Sequence, residues 1–158
     1  MGGLLYIHVA ISLVGIASGF IVVFGMLAAK PLPGWTALFL WTTVATSATG
    51  FPLPAAKFLP SHAIGILSLI ALAIALYALY GRHLAGAWRK AYIINAVIAL
   101  YFNMFVFVVQ TFRHMPTLKA LAPTQTEPPF AIVQGAVLIV FVLLGVGAAK
   151  RFQPSRER

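Results

Sequence analysis

The sequence contains no cysteine, and only two of its 158 residues are acidic, both of them glutamate. Without thiols the chain forms no disulfide, no thiolate zinc site and no cysteine-held iron–sulfur cluster. Charged residues make up 8% of the chain, where a soluble domain carries about a quarter, so a water-facing surface cannot be assembled from them. The motifs of nucleotide and nucleophilic chemistry are also missing: there is no glycine-rich phosphate loop, no GxSxG turn and no Ser-His-Asp order. Glu127 and Glu157 both fall outside the apolar stretches, which leaves no intramembrane carboxylate of the kind that ion-coupled transporters commonly use.

What is present is apolar. Hydrophobic residues account for 61% of the chain and the mean hydropathy is +0.98, the composition of a protein embedded in a lipid bilayer. At about 20 residues per crossing the length accommodates an all-α polytopic bundle of five spans, a single membrane domain covering 1–158. The spans fall at 4–29, 35–50, 63–80, 91–112 and 130–149, followed by a polar tail over 150–158. The first opens without the basic residues of a signal peptide. Its 26 residues extend about 39 Å, longer than the roughly 30 Å hydrocarbon core, so it tilts or protrudes. Lys30, Pro31, Leu32, Pro33 and Gly34 then form a tight reversal. The second stretch is marginal in length, and Pro52, Pro54 and Pro60 follow it; read as re-entrant, it would leave four crossings. Pro128 and Pro129 suit the first turn of the last helix.

The net charge of +9 reports on topology rather than on nucleic acid, because no basic stripe is interleaved with aromatic residues. Five crossings place Lys30, Arg82, Arg89, Lys90, Lys150, Arg151, Arg156 and Arg158 on one side and Lys57, Arg113 and Lys119 on the other, a division of 8 to 3 that sums to the 11 basic residues. The four-crossing alternative divides them 4 to 7. The positive-inside rule then sets the amino terminus outside and the carboxyl terminus in the cytoplasm. Trp35, Tyr77, Tyr80, Trp88 and Tyr92 fall near the cytoplasmic boundary, where amphipathic rings settle.

Polar residues inside the spans are the candidates for function. Thr42, Thr46 and Thr49 lie within an arc of about 60° on the second helix, and Asn103 and Gln110 share a face of the fourth, with Gln134 one turn into the fifth. Together these six are expected to line a polar interior that binds a small ligand. The competing expectation is structural, with threonines bonding their own helix and carboxamides linking helices. His8, His62 and His114 fall at the outer ends of three spans, where imidazoles could hold zinc, copper or haem. Gly15 and Gly19 form a GxxxG pair expected at a close helix contact, either with the small-residue stripe Gly65, Ser68, Ala71, Ala75 and Ala78 or with a second copy of the chain. Val22 is expected to face lipid. Glu127, directly before two prolines, is placed to cap the last helix and to pair with Arg113, Lys119 or Lys57.

The runs YIHVAISLVGIASG (6–19), GWTALFL (34–40), TTVATSATGF (42–51), SHAIGILSL (61–69), ALYFNMFVFVVQ (99–110) and LKALAPTQTEPPF (118–130) resemble a group of small bacterial integral-membrane proteins of unknown function, over nearly the whole chain. The resemblance implies a bacterial inner membrane and transfers no activity, cofactor or residue role. The expected function is therefore a non-enzymatic membrane bundle that binds a small ligand or serves a transport-type or accessory role. The alternative is a redox protein that holds haem or another metal through the outer histidines.

Overall fold

The computed structural model describes residues 2–50 and 60–152, and among them the chain is helical with no strand. Helix α1 is Gly2–Leu27, α2 Pro33–Thr49, α3 Pro60–Leu76, α4 Trp88–His114, α5 Pro116–Leu121 and α6 Pro128–Arg151. A π-helical turn, Tyr77–Gly81, extends α3. Four of these segments are long and apolar enough to cross a membrane: Gly3–Leu27, His62–Gly81, Trp88–His114 and Pro128–Arg151. Helix α2, at 17 residues, spans about 25 Å. The chain is thus a membrane-embedded α-helical protein, and the expected helix boundaries hold to within a few residues. Residues 51–59, which contain Pro52, Pro54 and Lys57, and residues 153–158, which make up most of the expected tail, lie outside the described residues. Lys150 and Arg151 belong to α6 rather than to a tail.

Prolines start four of the six described α-helices. Pro33, Pro60, Pro116 and Pro128 each stand at a helix's first residue, where the missing N–H would have had no partner and the fixed φ is already helical. The end of α1 is closed by two backbone bonds, Lys30 N–H to Gly25 O (2.7 Å) and Ala29 N–H to Met26 O (3.0 Å), with Ala29 at φ 59°. This is a Schellman closure with alanine where glycine is usual, and it turns the chain sharply into α2.

Contacts then show that consecutive long helices alternate in direction. Gly25 faces Leu32, Gly19 faces Phe39, Gly15 faces Thr43 and His8 bonds Thr49, so α2 runs antiparallel beside α1 along its whole length. Tyr77 meets Trp88 edge-on at 5.1 Å between α3 and α4. The Gln134 side chain reaches Phe105 O at one end of the α4–α6 contact, and Arg89 reaches Ala149 O and Phe152 O at the other. The core lies between these helices and includes Val22, Val23, Met26, Phe39, Leu40, Leu72, Ile93, Leu100 and Phe141. A smaller cluster of Val108, Phe112 and Ala122, with Leu118 and Phe130 against it, folds α5 back onto the end of α4.

Two packing expectations need correction. Val22, taken as lipid-facing, is buried (3% exposed); it stands seven residues from Gly15, two helical turns, and therefore on the same face. The small stripe of α3 is buried at Ser68, Ala71, Ala75 and Ala78, but α3 packs against α4 and α2 and makes no extended contact with α1. The hydroxyl-rich α2 takes the place beside α1 that the stripe was expected to fill. Gly15 and Gly19 do lie at a helix contact, and the helices that cover them are α2 and α4 of the same chain. Their faces are consequently unavailable for the expected contact with a second copy.

Candidate functional site

Polar side chains from two helices converge on Gly15 of a third. A Cβ placed on this glycine would stand 3.2 Å from Thr43 Oγ1, 3.3 Å from Thr42 Oγ1 and 3.3 Å from Asn103 Nδ2. The sequence brings them together through helical spacing. Gly15 and Gly19 are one turn apart on α1, and Leu100, which meets Gly19, is just under one turn from Asn103 on α4, so two antiparallel helices place Gly15 opposite Asn103. Threonine side chains of α2 close the third side.

Thr43 Oγ1 donates to Phe39 O (2.7 Å) and Thr42 Oγ1 donates to Leu38 O (2.6 Å). Their single protons are committed to their own helix, and their remaining lone pairs are acceptors. Asn103 Nδ2 is a buried donor with no hydrogen-bond partner. The close contact at Gly15 therefore brings together two hydroxyl oxygens and amide N–H donors with no ionisable group, a set whose polar partners are water or an uncharged hydroxyl, carbonyl or amide.

The six expected site residues fall into several places. Thr42 and Asn103 meet at Gly15. Thr46 donates to Thr42 O (2.8 Å) and Thr49 to Ala45 O (2.7 Å), so the threonine row does bond back into its own helix. Gln110 Oε1 is 3.1 Å from His114 Nε2 near the end of α4. Gln134 donates to Phe105 O (3.2 Å) between α6 and α4, and its Oε1 is buried without a partner. Thr43 is not among the expected site residues, and Gly15 was expected only at a helix contact. The meeting of Gly15 with Thr43 depends on which helix lies beside α1, and no spacing within one helix signals it.

The histidines take separate partners. His8 Nδ1 lies 2.8 Å from Thr49 Oγ1, a hydrogen bond that ties α1 to the end of α2. His114 bonds Gln110. Helices α1 and α3, which carry His8 and His62, make no extended contact, and α2 lies against both. Among the described residues no group of three or more His, Asp or Glu side chains is placed to hold a metal ion.

Outside the spans, Glu127 stands at the N-cap position of α6, yet its side chain makes no cap hydrogen bond. It turns back instead and accepts from Thr124 Oγ1 (2.6 Å), Thr124 N–H (3.2 Å) and Thr126 N–H (3.1 Å). The Thr124 hydroxyl, followed by these backbone donors, holds its carboxyl below the usual carboxylate range. Pairing with Arg113 or Lys119, the expected arrangement, is not among its interactions with the described residues. Comparison with family models, with curated proteins and with solved structures finds no match.

Proposed function

We propose that this protein is a non-enzymatic, five-span bundle of the bacterial inner membrane that holds a small uncharged hydrogen-bonding ligand between α1, α2 and α4. The observation that carries the reading is the buried, unpartnered Nδ2 of Asn103 facing Gly15 beside the acceptor oxygens of Thr42 and Thr43. In hydrocarbon surroundings an unsatisfied donor is costly, and a polar ligand seated there would remove that cost.

Asn103→Leu tests this directly. If a ligand or bound water completes the site, the substitution lowers thermal stability in detergent and abolishes small-molecule retention in native mass spectrometry. Gly15→Ala, whose methyl enters the same space, also abolishes retention. If Asn103→Leu instead raises stability by about 1–3 kcal/mol, the relief expected when an unpartnered buried group is deleted, the ligand reading fails. A Soret band from the purified protein would replace it with the haem reading through His8 and His62.

The five-crossing topology is supported by the antiparallel run of α2 beside α1, from Leu32 at Gly25 to Thr49 at His8. The basic residues Lys30, Arg82, Arg89, Lys90, Lys150 and Arg151 all gather at the end of the bundle where α1 and α6 finish, and this supports a cytoplasmic carboxyl terminus. A fluorescent reporter that matures only in the cytoplasm, fused after Arg158, should be active, and a periplasm-only phosphatase at that position should be silent. The reverse result would invert the orientation.

A further inference from the structure

A cavity of about 510 Å³ opens beyond the end of α4, lined by Arg113, His114, Lys119, Pro123 and Gln125. Two permanent cations and an imidazole face it, and no carboxylate is in its wall. The nearest acid in sequence, Glu127, has its oxygens engaged by Thr124 and Thr126, and pairs with neither Arg113 nor Lys119 among the described residues. Arg113 supplies a planar fork suited to phosphate oxygens and Lys119 a compact point charge.

The walls of this cavity are fixed by packing. Ala122, at the end of α5, is fully buried against the cluster of Val108 and Phe112, and Phe112 meets Phe130 edge-on at 5.3 Å. These contacts hold the short helix and its loop against α4 and keep Arg113 and Lys119 on either side of one opening. Met115 and Leu121, at the two ends of α5, are about half exposed (51% and 53%). Exposed apolar side chains at both ends of the short helix that carries Lys119, directly after the long apolar α4, are the pattern of a segment at the boundary between hydrocarbon and water.

We propose that this cavity binds the phosphodiester of an anionic lipid headgroup, with Arg113 and Lys119 on its oxygens and Met115 and Leu121 against the acyl chains. A lipid is favoured over a free anion because the apolar flanks give a diacyl molecule a second point of attachment that inorganic phosphate cannot use. The inference is independent of the site at Gly15, which contains no charge.

The test reconstitutes the full chain in bilayers of phosphatidylcholine with a minor fraction of phosphatidylglycerol and measures, by native mass spectrometry, which lipid stays bound. The wild type should retain phosphatidylglycerol preferentially. Arg113→Gln and Lys119→Gln should each lower that preference about five-fold, the scale of one basic residue near a membrane surface. Lys90→Gln, in the basic group at the other end of the bundle, should leave it unchanged at this site. Equal retention by the wild type and the double Arg113→Gln, Lys119→Gln variant would overturn the proposal. So would displacement of the lipid by millimolar inorganic phosphate, which would assign the cavity to a free anion. If the double variant proves unstable, the same competition on the wild type still decides between the two sources.

Discussion

Gly19→Ile should collapse the thermal stability of the detergent-solubilised protein, and even Gly19→Ala should lower it by about 1–3 kcal/mol, the usual cost of forcing a methyl into a filled core. A Cβ at this position would stand 2.6 Å from Leu100 Cδ1 and 2.9 Å from Phe39 Cε1. Both neighbours are fully buried, so neither can swing into open space, and isoleucine would push α1 away from α2 and α4 together. Val14→Ile, at a position 43% exposed toward lipid, should be nearly silent. The size of the loss should not depend on protein concentration, because the contact is within one chain; a concentration-dependent loss would instead place Gly19 between copies. Equal effects of Gly19→Ala and Val14→Ile would remove the packing argument.

The second large effect is expected at Arg89. Its Nη1 donates to Ala149 O (3.0 Å) and to Phe152 O (2.6 Å), carbonyls at the end of α6 that have no partner further along the helix. The guanidinium also sits at the negative end of the α6 dipole. Helix α6 depends on this anchor more than the others would, since only 11% of its apolar window is buried within the bundle, against 39% for α1 and α4. Arg89→Ala should cost about 2–3 kcal/mol, in the range for charged hydrogen bonds, and should speed protease cleavage after Lys150 or Arg151. Arg89→Lys should recover part of the loss, since it restores the charge without the fork. An unchanged cleavage rate in Arg89→Ala would show that α6 is held by its apolar contacts alone.

Most of the helical layout was readable from the sequence because a bilayer imposes a simple rule: every backbone group must be satisfied locally, so apolar runs become helices and prolines mark their beginnings. The partners of each helix were not readable. Small residues on α1 and α3 suggested that these two meet, but small residues only permit close approach and do not name the neighbour. The tight link at Lys30 to Gly34 fixed the outcome, since it folds α2 onto α1 before α3 is reached. The polar site was legible in part for the same reason. Asn103 and Thr42 were recognisable as polar groups in apolar helices, whereas their meeting at Gly15 depends on the register of three helices, which spacing along one helix does not contain. For Glu127 the sequence suggested a cap, and the local competitor was Thr124, three residues back, whose hydroxyl and amide offer the carboxylate a tighter ring.

The α1–α2 hairpin bears on how the chain enters the membrane. A segment of 17 residues with six hydroxyls gains little from hydrocarbon by itself, and would be a weak candidate for release from a translocon as a lone helix. Its threonine protons, however, are already directed to carbonyls of its own preceding turn, and its Thr43 and Phe39 stand against Gly15 and Gly19 of α1. The partner is also synthesised first and is joined to it through a closure complete within a few residues. As a crossing of the proposed five-span bundle, α2 would therefore enter the bilayer as a hairpin with α1 rather than as a lone helix.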